Sequence, residues 1–325
     1  MEKSKIAFII NPNSGTSKKE DLPALIDKKL DKSRYEATVV FTQYAGHGKE
    51  LAARFVEEKY KYVVACGGDG TMNEVASELV HTGVIFGVIP YGSGNGLARH
   101  LGISMFPRRA LKQINNHVIK TIDYGLADET KFFCTCGTGF DAHVSHEFAT
   151  KGRRGFLTYL KTIFKEYLHY KPYMYVLKNE EVEIRQRAFL ITFANASQYG
   201  NNAFIAPRAS TSDGILDVTI LKPFSFFAIP WLAFLLFQKE IDRSKHISTI
   251  RTKEITLIRR KAGLFHIDGD PVEKGKEIHI KVIPAGLKVL IGRSLSIEVI
   301  IRAQLIYARR KIRIHRKSIQ RAILE

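Results

Sequence analysis

The stretch Cys66-Gly67-Gly68-Asp69-Gly70-Thr71-Met72-Asn73-Glu74 decides how this chain is interpreted. It follows the apolar segment Tyr62–Ala65, a predicted buried strand, and leads into a helical pattern from Asn73 to Val80. Glycines at a strand-to-helix turn let the backbone approach a ligand closely, and the unpaired amides that begin a helix favour an anion such as phosphate. Asp69 adds a carboxylate between the glycines, so the stretch predicts a phosphoryl-transfer site.

Strand and helix patterns alternate around this turn, over about residues 1 to 127. The alternation predicts an α/β domain with a doubly wound, mostly parallel sheet, in which ligands bind beyond the carboxyl ends of the strands. Two more glycine-rich turns, Asn11–Gly15 and Pro90–Arg99, follow predicted strands and fall at this same edge. Each is a generic turn signal by itself, but three at one edge favour a nucleotide-binding site.

The pattern changes at about residue 128. Short predicted strands dominate from there to residue 286, with helical patterns at Phe156–Tyr170 and Phe224–Lys239. Such a strand-rich region predicts a C-terminal β-sandwich of antiparallel sheets. Since no linker composition separates the two regions, we expect the domains to pack closely around a cleft.

Composition narrows the class of protein. The 325 residues carry a net charge of +18 and only three cysteines, which predicts a reducing compartment and an anionic partner. The longest apolar stretch, Phe224–Phe237, is shorter than the ~20 residues that a membrane-spanning helix needs. We therefore expect a cytoplasmic protein that associates peripherally with a membrane. A Gly-x4-Gly-Lys-Ser/Thr loop is absent from the sequence, which excludes a P-loop enzyme.

Seven motifs, in order, resemble the diacylglycerol kinase catalytic-domain family, which includes bacterial lipid kinases and the sphingosine and ceramide kinases. The resemblance covers about residues 5 to 292 and implies ATP bound in the inter-domain cleft, with the last strand, at about 287–291, returning to the first domain. The motifs are Asn11–Gly15, Gly67–Glu74, Ser93–Arg99, Asp123–Gly125, Gly137–Ala142, Ala206–Asp217 and Ile267–Asp270.

The resemblance also implies which residues hold the nucleotide and its metal. Without a lysine clamp on the phosphates, Mg²⁺ is expected to supply much of the positive charge. The implied magnesium ligands are Asp69, Asp123 and Asp268, with a separate structural magnesium at Asp213, where a plain Asp-Gly turn is the alternative. The implied nucleotide-binding residues are Asn11, Ser14, Gly15, Thr42, Gly67, Gly68, Asp69, Gly70, Thr71, Asn73, Ser93 and Asn95.

Two further roles stay open at the level of sequence. The catalytic base is either Asp270, which stands where bacterial relatives carry a glutamate, or Asp69, which matches the residue given that role in sphingosine kinases. Asp141 matches an acid that contacts the sphingoid amine in sphingosine kinases, although it could equally cap the helix that follows.

The favoured function is an ATP- and Mg²⁺-dependent lipid kinase of the diacylglycerol kinase type. The alternatives are a sphingoid-base kinase, an NAD kinase and a catalytically silent, nucleotide-sensing membrane protein. We expect the lipid substrate to be met at an anionic membrane surface, expect no nucleic-acid partner, and leave homodimerisation open. The aromatic segment Phe224–Phe237 and a basic C-terminal extension, residues 293–325, are candidate membrane contacts, or else a packed and a solvated helix.

Overall fold

The computed structural model describes residues 2–15, 21–150, 165–180 and 183–293. Within them the chain forms an α/β domain followed by a β-sandwich, which confirms the predicted fold class. Most of the Phe156–Tyr170 segment and nearly all of the basic extension lie outside the described residues, so the roles suggested for them stay predictions.

Four parallel strands, in the order β2-β1-β3-β4, form the centre of the first domain. Strands β1, β3 and β4 are almost wholly buried because helices cover both faces, which explains their unbroken apolar runs. The elements are β1 (Ser4–Ile10), α1 (Leu22–Lys29), β2 (Tyr35–Phe41), α2 (His47–Glu57), β3 (Tyr62–Gly67), α3 (Asp69–Leu79), β4 (Ile85–Pro90), α4 (Gly96–His100), α5 (Pro107–Asn115) and β5 (His117–Ala127).

The second domain packs a six-stranded sheet, ordered β12-β11-β10-β7-β14-β15, against strands of the large sheet. Its core includes Phe193, Val218, Phe265 and Ile280. The elements are β6 (Thr130–Phe132), β7 (Thr135–Gly139), α6 (Phe140–Thr150), β8 (Tyr173–Lys178), β9 (Glu183–Ala188), β10 (Leu190–Ala194), β11 (Leu216–Leu221), α7 (Ile229–Phe237), β12 (Ile247–Thr252), β13 (Glu254–Arg259), β14 (Gly263–Ile267), β15 (Asp270–Lys274) and β16 (Glu277–Gly292).

One long strand, β16, joins the domains. Its first part pairs with β13 and its last part pairs in parallel with β4, where Lys288 faces Ile85, so the two domains share a ten-stranded sheet. A register shift between Ile283 and Leu287 bends the strand on the way. The sequence pattern predicts a strand over Glu277–Val282, and the family resemblance implies another at about 287–291 that returns to the first domain; the structure joins the two in one strand.

The structure corrects three local predictions. Helix α3 begins at Asp69, four residues before the predicted start at Asn73, so the glycine-rich turn is itself the first turn of the helix. The motif Asp123–Gly125, for which no strand was predicted, lies inside strand β5. The predicted strand Lys131–Gly137 breaks after Phe132, because the carboxylate of Asp268 binds the backbone amides there.

Candidate functional site

Three glycine-rich turns interlock at the carboxyl edge of the parallel sheet. The Asn11 side chain donates from Nδ2 to Thr71 Oγ1 at 2.9 Å, which ties the first turn to the second. Gly15 has φ of +64°, and a Cβ there would stand 1.8 Å from the carbonyl oxygen of Tyr91, so only glycine lets the first and third turns meet. The turns therefore form one rigid backbone surface.

Asp69 fixes the third turn through two backbone amides. Its Oδ2 accepts from Asn95 N at 2.7 Å and its Oδ1 accepts from Gly96 N at 2.8 Å. Burial raises the pKa of Asp69 to about 7 against the opposing effect of these amides, and the nearby charges of Asp268 and Asp270 raise it further. Because each oxygen already accepts a hydrogen bond, the geometry suits Asp69 to positioning the third turn.

Asp268 fastens the second domain to the first. It accepts from the backbone amides of Phe133, Cys134 and Thr135 at 2.8–3.0 Å and from Asn73 Nδ2, on α3 of the first domain, at 2.9 Å. Asp268 has φ of +49° and the following glycine +92°, the backbone of a tight hairpin turn between β14 and β15. Burial raises the pKa of Asp268 while its four donors lower it.

Asp270 begins the strand that leaves this hairpin, and its carboxylate points back at the second glycine-rich turn. A Cβ on Gly70 would stand 2.7 Å from Asp270 Oδ2. In the described part of the chain no hydrogen bond or ion pair occupies this carboxylate. Burial and the charges of Asp268 and Glu74 raise its pKa to about 6. Asp270 is therefore a proton acceptor that is available near neutral pH.

A cavity of about 1660 Å³ runs past these groups. Its lining combines the three turns and the aspartates with apolar side chains such as Phe140, Phe189 and Leu232. Asp69, Asp268 and Asp270 lie on the wall of the same cavity. The structure brings to this wall the predicted nucleotide-binding residues Asn11, Ser14, Gly15, Gly68, Asp69, Gly70, Thr71, Ser93 and Asn95.

Three of the predicted nucleotide-binding residues, Thr42, Gly67 and Asn73, are not among the residues that line this wall, so their contact with a nucleotide stays a prediction. Thr42 is buried, and its amide donates to Ile10 at the end of β1. Gly67 ends β3, where its carbonyl accepts from the amide of Tyr91. Asn73 uses its side-chain amide on Asp268 and on the carbonyl of Lys131, so it holds the domains together.

The predicted magnesium ligand Asp123 also lies away from the cavity. It is 4% exposed, and its two oxygens accept from Gly214 N and Ala285 N at 2.8 Å each. Its carboxylate thereby joins the loop before β11 to the bend in β16. The sequence pattern could not separate this structural role from metal binding, since both require a carboxylate at that position.

An arginine takes the place predicted for a structural metal at Asp213. Arg251 donates to Asp213 Oδ2 at 2.5 Å, and its Nε lies 3.6 Å from Asp217 Oδ2. Burial raises the pKa of Asp217 to about 6, although Arg251 lowers it. With a guanidinium between the two carboxylates, the residues do not fit a divalent cation.

Replacing Arg251 with alanine is expected to lower the free energy of unfolding by about 1–2 kcal/mol, because two neighbouring carboxylates lose their counter-charge. Chelation with EDTA is expected to leave the unliganded protein's midpoint of thermal unfolding unchanged. The matched control is Arg243→Ala, which removes an exposed ion pair with Glu240. A Mg²⁺-induced stabilisation that Asp213→Asn abolishes would contradict the assignment.

The carboxylates on the cavity wall suit a divalent cation that keeps several water ligands better than one that protein side chains enclose completely. No group of three or more His, Cys, Asp or Glu side chains among the described residues could hold a metal. Mg²⁺ commonly binds through one or two carboxylates and completes its octahedron with water and phosphate oxygens. Asp69 and Asp268, which lie on the cavity wall beside Asp270, are the carboxylates of such a partial donor set.

Asp141 lies on the cavity wall within a polar network. Its Oδ2 accepts from Tyr199 OH at 2.9 Å and Thr192 Oγ1 at 3.1 Å, and lies 3.2 Å from His266 Nε2. Within the described part of the chain, its Oδ1 accepts only from the adjacent amide of Ala142. Both Tyr199 and His266 line the cavity, and the sequence analysis missed them; the alternation of His266 with the core residues of β14 was the available signal.

Two family models match the chain in succession. Residues 5–127 match the diacylglycerol kinase catalytic domain, and residues 134–291 match the YegS C-terminal NAD kinase beta sandwich-like domain. The boundary between the matches falls at strand β6 and the turn that follows it. Together they cover most of the chain and both walls of the cavity.

Curated relatives and a solved structure agree with these matches. The diacylglycerol kinase of Bacillus subtilis (strain 168) is 27% identical over 288 residues, which is 83% of this chain and 90% of the relative. The diacylglycerol kinase of Mycobacterium tuberculosis (strain ATCC 25618 / H37Rv) is 28% identical over 304 residues, 89% of this chain and 96% of the relative. The crystal structure of a diacylglycerol kinase from Bacillus anthracis str. Sterne superposes with a TM-score of 0.70 at 17% identity, over 90% of this chain and 99% of that one, and supports the fold alone.

Proposed function

Because the chain belongs to the diacylglycerol kinase catalytic-domain family and continues into a YegS-type β-sandwich, we propose that it transfers the γ-phosphate of ATP to the primary hydroxyl of a diacylglycerol-like lipid. The observation that carries this proposal is the single cavity that joins the glycine-rich turns to an apolar wall. A nucleotide triphosphate suits the polar groups of this lining, and acyl chains suit its apolar side chains.

The residues suggest how the reaction proceeds. The amides and hydroxyls of the three turns cradle the phosphates, and Asp69 holds the third turn against the second. Asp270 takes the proton of the lipid hydroxyl as its oxygen attacks the γ-phosphorus, and the bond to the β-phosphate oxygen breaks to release ADP. Mg²⁺, when bound, would neutralise phosphate charge, and Asp69 and Asp268 are the carboxylates on the cavity wall that would hold it.

The network around Asp141 supports a polar group on the acceptor. Asp141 lies on the cavity wall, which also includes Asp270 and the apolar side chains. A diacylglycerol or a sphingoid base both present a primary hydroxyl, an apolar chain and a further polar group. A sphingoid-base kinase is therefore the second candidate, since the Asp141 carboxylate could accept from an ammonium.

An NAD kinase and a silent nucleotide sensor fit the site less well. NAD has no acyl chain to contact the apolar side chains of the cavity, and a catalytically silent protein would not need the available carboxylate at Asp270. Single-turnover transfer of labelled γ-phosphate to diacylglycerol, sphingosine and NAD distinguishes these functional hypotheses. Phosphatidic acid as the main product supports the proposal, whereas NADP formation, or ATP binding without transfer to any acceptor, overturns it.

A further inference from the structure

One helix beside the cavity is apolar on every face. Helix α7 reads Ile-Pro-Trp-Leu-Ala-Phe-Leu-Leu-Phe, without a single polar side chain. Ile229, Leu232, Ala233 and Leu236 recur at helical spacing and line the cavity. A helix that is apolar all round is normally buried in a protein core or in a membrane. The face of α7 that lines the cavity lies inside the protein, as expected. The opposite face is exposed, and its exposure requires an explanation.

The outward face carries a row of exposed aromatic rings. Trp231 and Phe234 of α7 are 59% and 50% exposed, and Phe227, in the short 3₁₀ helix that precedes α7, is 90% exposed, so the three stand at i, i+4 and i+7 spacing with Phe226 just before them. The Trp231 and Phe234 rings stack with their centroids 5.5 Å apart. We call these four residues the aromatic ridge. Clustered apolar exposure of this kind marks an interaction surface.

The charges around the ridge favour an anionic partner. No acidic residue occurs between Lys222 and Lys239, which flank the ridge. The nearest acids, Glu240 and Asp242, are each paired with an arginine. The segment from Lys222 to Lys239 contains two lysines and no acidic residue, and the whole chain carries a net charge of +18. Aromatic rings bordered by lysines are the combination that enters the headgroup region of anionic bilayers.

The dimensions of α7 favour lying in that interface. At 1.5 Å per residue, nine residues are about 14 Å long, against the roughly 30 Å of a bilayer's hydrocarbon core. No helix among the described residues is long and apolar enough to span a membrane.

We propose that the aromatic ridge docks into the headgroup region of an anionic lipid bilayer. The opposite face of the same helix lines the cavity, so the docked helix forms the wall along which a lipid leaves the bilayer for the site. The identity of that lipid as the phosphate acceptor rests on the proposed function, whereas the docking itself does not.

The chain provides its own reporter, because Trp231 is its only tryptophan. The full-length protein is mixed with phosphatidylcholine vesicles that contain phosphatidylglycerol, and tryptophan emission is followed. We expect a blue shift on vesicle addition and quenching by lipids brominated near the glycerol end of their acyl chains. Emission that vesicles leave unchanged overturns the proposal, as does emission that is already blue-shifted in a concentration-dependent dimer.

A pair of variants assigns the binding to the ridge. Phe227→Ser is expected to weaken vesicle partitioning about tenfold, since one exposed ring no longer enters the bilayer. Ile119→Ser, at an exposed apolar position on β5, is the matched control and should partition like the wild type. Equal partitioning of both variants overturns the proposal. Phosphorylation of a soluble short-chain diacylglycerol, measured in parallel, is expected to be the same in both variants and reports separately on the proposed function.

Discussion

Replacing Asp270 with asparagine is expected to lower kcat for lipid phosphorylation by about 10²–10⁴-fold, the usual contribution of a general base. The variant keeps the shape of the side chain and loses only the capacity to take a proton. Since the Asp270 carboxylate carries no hydrogen bond within the described residues, its loss should leave the KM for ATP and the midpoint of thermal unfolding close to wild type. Steady-state kinetics and a thermal melt measure both quantities.

The variant Asp69→Asn provides the contrasting case. It places an amide where the carboxylate accepts from Asn95 N and Gly96 N, so the third turn should loosen. We expect a raised KM for ATP and a lowered unfolding midpoint along with any loss of kcat. If Asp69→Asn were instead to lower kcat alone and Asp270→Asn to leave it unchanged, Asp69 would be the base.

Two controls belong to the Asp270 experiment. Glu273→Gln removes another carboxylate of strand β15 and should leave kcat unchanged. The pH profile gives the second control, because Asp270 has a raised pKa of about 6 and accepts a proton only when ionised. The wild-type kcat should therefore fall about tenfold per pH unit below pH 6 and level off above it. This decrease of kcat at low pH should be absent in Asp270→Asn.

Much of this site was predictable because it depends on local rules. A glycine-rich turn between a strand and a helix places backbone amides at the edge of a parallel sheet, whatever the rest of the chain does. The turns at Asn11–Gly15, Gly67–Thr71 and Ser93–Asn95 therefore occur where their pattern predicted them. The hairpin that presents Asp268 and Asp270 also depends on a local rule, since Asp-Gly between two strands favours a tight turn.

Local sequence patterns could not assign the carboxylates whose contacts depend on distant partners. Asp123, Asp213 and Asp268 each stand in an Asp-containing turn or strand that looks alike in sequence. Their roles differ because Asp123 meets the bend of β16 and Asp213 meets Arg251 on a neighbouring strand. Local patterns carry no information about such pairings, so a carboxylate that holds two segments together cannot be told from one that faces a metal.

Replacing Asp268 with alanine is expected to destabilise the fold more than any other single change at the site. The carboxylate accepts from the amides of Phe133, Cys134 and Thr135, which belong to residues at most 4% exposed, and from Asn73 across the domain boundary. Each buried amide left without an acceptor costs about 1–3 kcal/mol. We expect the free energy of unfolding, measured in urea, to fall by about 3 kcal/mol, with loss of kinase activity.

Asp128→Ala is the matched control for this prediction, because Asp128 also has a left-handed backbone, with φ of +53°. Both variants place alanine at positive φ and share that cost, but Asp128 forms its contacts to His279 N and Lys274 at the surface. The difference between the two variants therefore measures the buried carboxylate contacts. Asp268→Asn keeps one acceptor oxygen and should fall between Asp268→Ala and the wild type. Equal unfolding free energies for Asp268→Ala and Asp128→Ala would show that Asp268 does not hold the two domains together.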